Sequence, residues 1–167
     1  MRELYKDVEM ELDGKKYLFK IKKMDALSTN NILKLLTEKL LPGVPNLREV
    51  IAGVSIPEDA QPEDLQKIAL KRSEAIFTTL PKILSLISEE EFMDLERKCL
   101  RTVSVMLPAG PQPVMINNRF GFEELEYESS AVLMLCYEVI AFNVKGFFGE
   151  SSLSSFLSHL NISLPDA

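Results

Sequence analysis

One histidine and two cysteines are the only imidazole and thiol groups in this sequence. Cys99, Cys136 and His159 fall short of the four ligands that a structural zinc site takes at its usual spacing, so no metal is implied. Both cysteines stand inside apolar helical patterns, where a reduced, buried thiol is the expected state and a reducing cytoplasm the expected setting. His159 lies among serines and leucines near the C-terminus, with no nucleophile and no orienting group to make it a base, and reads as a surface residue. Gly110, Gly146 and Gly149 match neither a Walker loop nor a dinucleotide fingerprint, so no nucleotide cofactor is implied either. Positive charge is also short: 19 basic residues against 25 acidic ones leave a net charge of -6, which gives no electrostatic footprint for nucleic acid and disfavours anionic membranes. Lys15, Lys16, Lys20, Lys22 and Lys23 are the one basic cluster, and acids stand opposite them in the hairpin described below, as on a solvated sheet face. The N-terminus, Met-Arg-Glu-Leu-Tyr-Lys-Asp, has no apolar core or cleavage site, so no secretion signal is expected.

What the chain has is apolar surface and the means to bury it. With 167 residues, 46% of them hydrophobic and 26% charged, it fits one folded domain. Its most apolar stretch runs from Ser129 to Phe148. As a helix, it places Val132, Leu133, Cys136, Tyr137, Ile140, Ala141 and Val144 on one side, while Met134, Leu135, Val139 and Phe142 make the other side apolar too. A helix apolar all round needs cover on every side. Glu138, Asn143 and Lys145 interrupt it before the roughly 20 apolar residues of a membrane span, so a central core helix is expected.

Ahead of it, Val8, Met10 and Leu12 alternate with Asp7, Glu9 and Glu11, and Asp13-Gly14 supplies a two-residue turn. The implied register sets Leu12 opposite Lys15, Glu11 opposite Lys16, Met10 opposite Tyr17, Val8 opposite Phe19 and Asp7 opposite Lys20. A lone hairpin is marginal in water, so its apolar face must pack on the helices that follow. A helix is expected from Ala26 or Thr29 to Leu41, ended by Pro42-Gly43, then a loop over 44–60 with a short helical turn near Leu47 to Ala52. Pro62-Glu63-Asp64 opens a helix whose stripe includes Leu65, Ile68, Ala69, Arg72, Ile76, Leu80, Ile83, Leu84 and Ile87. Pro81 is expected to kink it or split it near Thr79. Ser88 and Glu91 form a capping box, which accounts for the run Glu89-Glu90-Glu91 without catalysis, and Phe92, Leu95, Cys99 and Leu100 carry the next helix to about Arg101. Val103, Val105 and Leu107 alternate as a strand, with Val114–Ile116 as its expected partner across Pro108–Pro113. The whole is an α+β protein, mainly α: an N-terminal β-hairpin within 1–24 packed on four to five helices, with a second short hairpin near 102–117. A single domain over 1–149 is followed by an amphipathic or mobile tail over 150–167.

Apolar residues left over at the end of the central helix, namely Phe142, Phe147 and Phe148, with Phe156 and Leu157 beyond, are core or a patch that takes an amphipathic partner helix or a second copy. The hairpin with Asp-Gly-Lys-Lys-Tyr, the following Lys-Lys-Met-Asp-Ala, the helical middle and the late Glu-Val-Ile-Ala-Phe-Asn-Val-Lys-Gly-Phe-Phe-Gly resemble the tail assembly chaperones of long-tailed bacteriophages and prophages. Phe142-Asn143 with Phe147-Phe148-Gly149 is similar to that family's Asn-Phe and Phe-Phe signature, with the first pair reversed. The resemblance implies a non-enzymatic protein of the host cytoplasm, without cofactor, whose partners are the tape measure protein and tail tube subunits. On that reading Met134, Phe142, Phe147, Phe148, Leu153 and Phe156 are the expected partner-binding residues. A small acidic binder that docks on and inhibits a host protein is the competing class.

Overall fold

Asp13 and Gly14 adopt positive φ, 50° and 79°, and this double left-handed turn matches the twist of the strands on either side. The structure, a computed structural model, describes residues 3–52 and 59–148. Strands β1 (Tyr5–Leu12) and β2 (Lys15–Lys22) pair in the register expected from the sequence, with Val8 opposite Phe19 and Met10 opposite Tyr17. Phe19 and Ile21 are fully buried beneath the sheet and Leu12 nearly so. On the outer face Asp7 pairs with Lys20 at 3.5 Å, while Lys16 leans to Glu9 at 3.9 Å instead of to Glu11 directly across.

Strand β3 (Val103–Leu107) returns antiparallel to β2, with Val105 opposite Phe19, and pairs on its far side with β4 (Gly110–Pro113), giving a sheet of order β1-β2-β3-β4. The second hairpin thus closes earlier than expected, because Pro111 and Pro113 lie on an edge strand, where a missing N–H costs no ladder bond. Val114 still donates its N–H to Val103 O at 3.1 Å. The chain then makes a small ribbon of β5 (Met115–Ile116) and β6 (Arg119–Phe120) around Asn117 and Asn118, both at positive φ, which asparagine tolerates.

Helix α1 (Ala26–Leu35) starts at Asp25, whose Oδ1 accepts the Ser28 N–H at 2.9 Å. It runs into a wider turn over Leu36–Leu40, closed by the Leu41 N–H on Leu36 O at 2.7 Å. In an α-helix a residue four positions on is rotated by about 40°. The wider turn reduces that drift and lets Leu36 and Leu40 share the buried side with Ile32. The short helix expected in the following loop is α2 (Leu47–Ala52), which buries Leu47 and Ile51.

Helix α3 (Pro62–Leu86) runs through Pro81 without the expected split. Pro81 stands on the exposed side, where water can reach the carbonyl it leaves without a donor, and Thr79 Oγ1 donates to Ala75 O and Ile76 O at 2.9 and 3.0 Å one turn earlier. Only Ile76 and Thr79 of α3 are buried; Leu65 and Leu84, expected on the inner stripe, are exposed. Helix α4 (Glu89–Leu100) begins with the expected box, in which the Glu91 N–H donates to Ser88 Oγ at 3.1 Å and the Ser88 N–H to Glu91 Oε1 at 3.0 Å. Glu91 also accepts from Lys39 in the wider turn that follows α1. These bonds, Lys39 foremost, hold its carboxyl at about 2. The folded value lies below the ordinary one, so the contact stabilises the fold above about pH 4.5 and is lost as pH falls toward 2. Thermal melts of Glu91→Gln and the native chain should therefore differ at neutral pH and converge through that window.

After a single turn, α5 (Glu123–Glu126), the central helix α6 (Ser129–Val144) and a 3-10 turn (Lys145–Phe147) follow. The stretch Ser129–Phe147 is long and apolar enough by length and composition to cross a membrane, yet 61% of its most apolar window is buried inside the protein. Leu135, Val139 and Val144 are fully buried, and the sheet, α1, α2, α4 and α5 surround them. Two polar residues of α6 are buried with partners. Asn143 accepts the Met24 N–H at 2.9 Å and donates to Val139 O at 2.8 Å, fixing the chain where it leaves β2. Asn143→Ala leaves that N–H unpaired in the interior and is expected to cost about 1–3 kcal/mol, read from urea unfolding.

Candidate functional site

Helix α3 packs on the central helix through Ile76, which is buried with Tyr137 and Ala141. Between its inner side and helix α6 runs a cleft of about 710 Å3, counted out to its open mouth. Ile76, Leu80 and Ile83 form the α3 wall and Leu133, Tyr137 and Ile140 the α6 wall. Leu36 and Leu40 come from the turn after α1, Val50 and Ile51 from α2, and Phe92 and Leu95 from α4. Glu96 is the one carboxylate among the lining residues, and partial burial alone pushes it above the usual carboxylate range.

Charge holds the α3 wall in place. Glu138 is buried on α6 and takes Lys6 of β1 at 2.7 Å and Arg72 of α3 at 3.3 Å. The Arg72 Nε also donates to Tyr137 Oη at 3.4 Å, and that hydroxyl donates to Val50 O at 2.6 Å. One knot of side chains therefore ties β1, α2 and α3 to the central helix at the edge of the cleft. Beside it, Cys136 is in contact with Cys99 of α4, both as free buried thiols. A hydrogen bond in which the Cys136 thiol donates to Cys99, together with burial, pushes Cys136 well above its ordinary value, the opposite of what an activated nucleophile needs.

The outward side of α3 carries a second apolar surface. Leu70, Phe77 and Leu84 are seven residues apart, so they line up along the helix, and they are 62%, 38% and 46% exposed. The first turns of α3 are exposed all round, Ile68 being the first residue with partial cover.

The residues expected to bind a partner are scattered. Phe142 lies in the interior, its carbonyl accepting from Lys23 Nζ at 2.8 Å and its ring 4.5 Å beneath the same ammonium. Met134 packs on Ile76, Tyr137 and Ala141, at the side of the cleft. Phe148 is half-buried against the core with the Arg48 guanidinium 5.7 Å from its ring, and Phe147 is 40% exposed. Leu153, Phe156 and His159 lie outside the described residues. What the sequence did not single out is the cleft itself. Leu80, Ile83, Leu133 and Ile140 carry an ordinary core pattern, and nothing in a helical period says that two apolar faces leave an opening between them.

An α+β fold with a cleft lined by leucine, isoleucine and tyrosine, a carboxylate at its side and two inert thiols beneath, defines a candidate receptor for an apolar helix. The family model of the phage tail assembly chaperone protein, TAC, matches residues 14–156, and the chain belongs to that family. No curated protein and no solved structure matches the chain.

Proposed function

We propose that this tail assembly chaperone binds the tape measure protein of its phage, without catalysing a reaction, and holds it soluble in the host cytoplasm while tail tube subunits assemble around it. The observation that carries this reading is the open apolar cleft between α3 and α6. A tape measure protein presents long apolar helical stripes, and such a stripe laid between Leu80 and Ile83 on one side and Leu133 and Ile140 on the other is a helix-in-groove contact. Met134 extends the contact at the side of the cleft and Phe147 and Phe148 extend it beyond the end of α6, while Phe142 lies in the interior. A partner helix with a lysine or arginine near Glu96 would recover the energy that burial of that carboxylate costs.

The test is a pull-down from cells that co-express the chain with the tape measure protein of the same phage. The native chain should retain the tape measure protein, and Phe147→Ser with Phe148→Ser should retain less while staying folded by circular dichroism. Undiminished capture by that variant removes the end of α6 from the contact. Capture of a host protein instead, with no effect on tape measure solubility, favours the inhibitory binder.

A further inference from the structure

Three turns of a helix, ~10 Å across and ~16 Å long, fill about 1,300 Å3. The cleft holds about 710 Å3 even when counted out to its open mouth, so a helix gripped on both sides needs the walls to part. Helices α2 and α4 bury Leu47, Ile51, Leu95 and Leu100 in the main core around α6. Among the described residues, α3 adds no buried side chain to that core. Its C-terminal end is anchored by Ile83 and Leu86, which pack against the core, and a Cβ on Gly43 would lie 2.5 Å from Leu86 Cδ1. Further toward its N-terminus, α3 meets α6 through Ile76, in a small cluster with Tyr137 and Ala141, and through Arg72. Thr79 and Pro81 stand between the two parts. Pro81 has no N–H for Phe77 O, and Thr79 Oγ1 donates to Ala75 O and Ile76 O, a pattern that bends helices.

Arg72 is placed to let go. Its Nη1 is 3.3 Å from Glu138 Oε1 and its Nε 3.4 Å from Tyr137 Oη, both long for bonds from a cation. Without Arg72, Glu138 keeps Lys6 at 2.7 Å and Tyr137 keeps the Val50 carbonyl at 2.6 Å, so no buried group of α6 is stranded. The Arg72 side chain is a third exposed, and water can take up its guanidinium.

We infer that residues 62–79 of α3 are a movable wall of the cleft, hinged at Pro81 and latched to α6 by Arg72, which swings outward to admit a helix. Opening gives up the Arg72 contacts and the cover of Ile76, and an apolar helix that enters restores the second. The closed form is the resting one, and the apparent affinity for a helix falls with the fraction of chains that are open. That a partner helix is what enters rests on the reading of the cleft as the partner's site; the movement does not.

The movement is read on the full chain, without a partner, from its two native thiols. Cys136 is among the lining residues of the cleft, whereas Cys99 on α4 is fully buried. N-ethylmaleimide, with the alkylated peptides quantified by mass spectrometry, should modify Cys136 several-fold faster in Arg72→Ala than in the native chain, with Cys99 unchanged. An unchanged rate at Cys136, or an equal rise at both thiols as from loosening of the whole core, overturns the movable wall. Lys6→Ala removes the other partner of Glu138 and keeps the latch, so Cys136 should stay as slow as in the native chain. A rise like that of Arg72→Ala overturns the assignment of the latch to Arg72. Pro81→Ala restores the missing N–H and should slow Cys136 alkylation in the Arg72→Ala chain, and no slowing overturns the hinge. None of these readouts involves the tape measure protein, so a failed pull-down and a failed inference remain separate results.

Discussion

Leu135→Ala is expected to lower the unfolding free energy by about 2–5 kcal/mol, a large share of the total for a domain of this size. Leu135 is fully buried near the middle of α6, the helix on which the sheet, α1, α2, α4 and α5 all pack. Truncation there removes the transfer energy of the side chain and leaves a void that several elements would have to move together to fill. Leu84→Ala on the exposed side of α3 is the control. It changes an apolar residue of the same type and should shift stability by no more than ~0.5 kcal/mol. Urea unfolding of the two variants separates the cases. Near-equal losses would mean that α6 is not the enclosed centre.

Leu80→Glu together with Ile83→Glu should abolish retention of the tape measure protein while leaving most of the stability in place. Both residues line the cleft from α3, a helix that buries only Ile76 and Thr79, so the fold depends on that wall far less than on α6. Two carboxylates there would have to be desolvated by any apolar helix that entered, with no lysine or arginine among the lining residues to compensate. The matched control is Leu70→Glu with Leu84→Glu, on the outward line of the same helix. If the cleft is the site, the control still captures the partner. If the control loses capture and the cleft variant keeps it, the binding surface is the outer stripe of α3.

Local rules account for much of this fold. Alternation and Asp13-Gly14 determine the hairpin because a one-residue slip would turn Phe19 and Ile21 to solvent. Ser88 and Glu91 announce α4 because the cap is an exchange of bonds between residues three apart. Where the sequence misleads, the deciding contact is remote or solvent takes part. Pro81 reads as a break, yet it sits on a face where water is available. Pro111 and Pro113 read as loop, yet they form an edge strand because β3 stands beside them. The late Phe142-Asn143 pair, which resembles the family signature, serves the interior: Asn143 holds the Met24 backbone and Phe142 lies under Lys23, so this part of the motif ties the hairpin exit to the central helix. The cleft was not legible, because Leu80, Ile83, Leu133 and Ile140 have the spacing of ordinary core residues and their shared opening exists only in three dimensions.

If the apolar cleft holds the tape measure protein in solution, changing its α3 wall must release that protein. Size-exclusion chromatography of the soluble fraction, after co-expression with the tape measure and tail tube proteins of the same phage, reads this. The expected result is a tape measure protein that is insoluble alone, co-elutes with the native chain, and is lost from that peak with Leu80→Glu and Ile83→Glu. A folded native chain that elutes by itself, with the tape measure protein in the pellet, would contradict it.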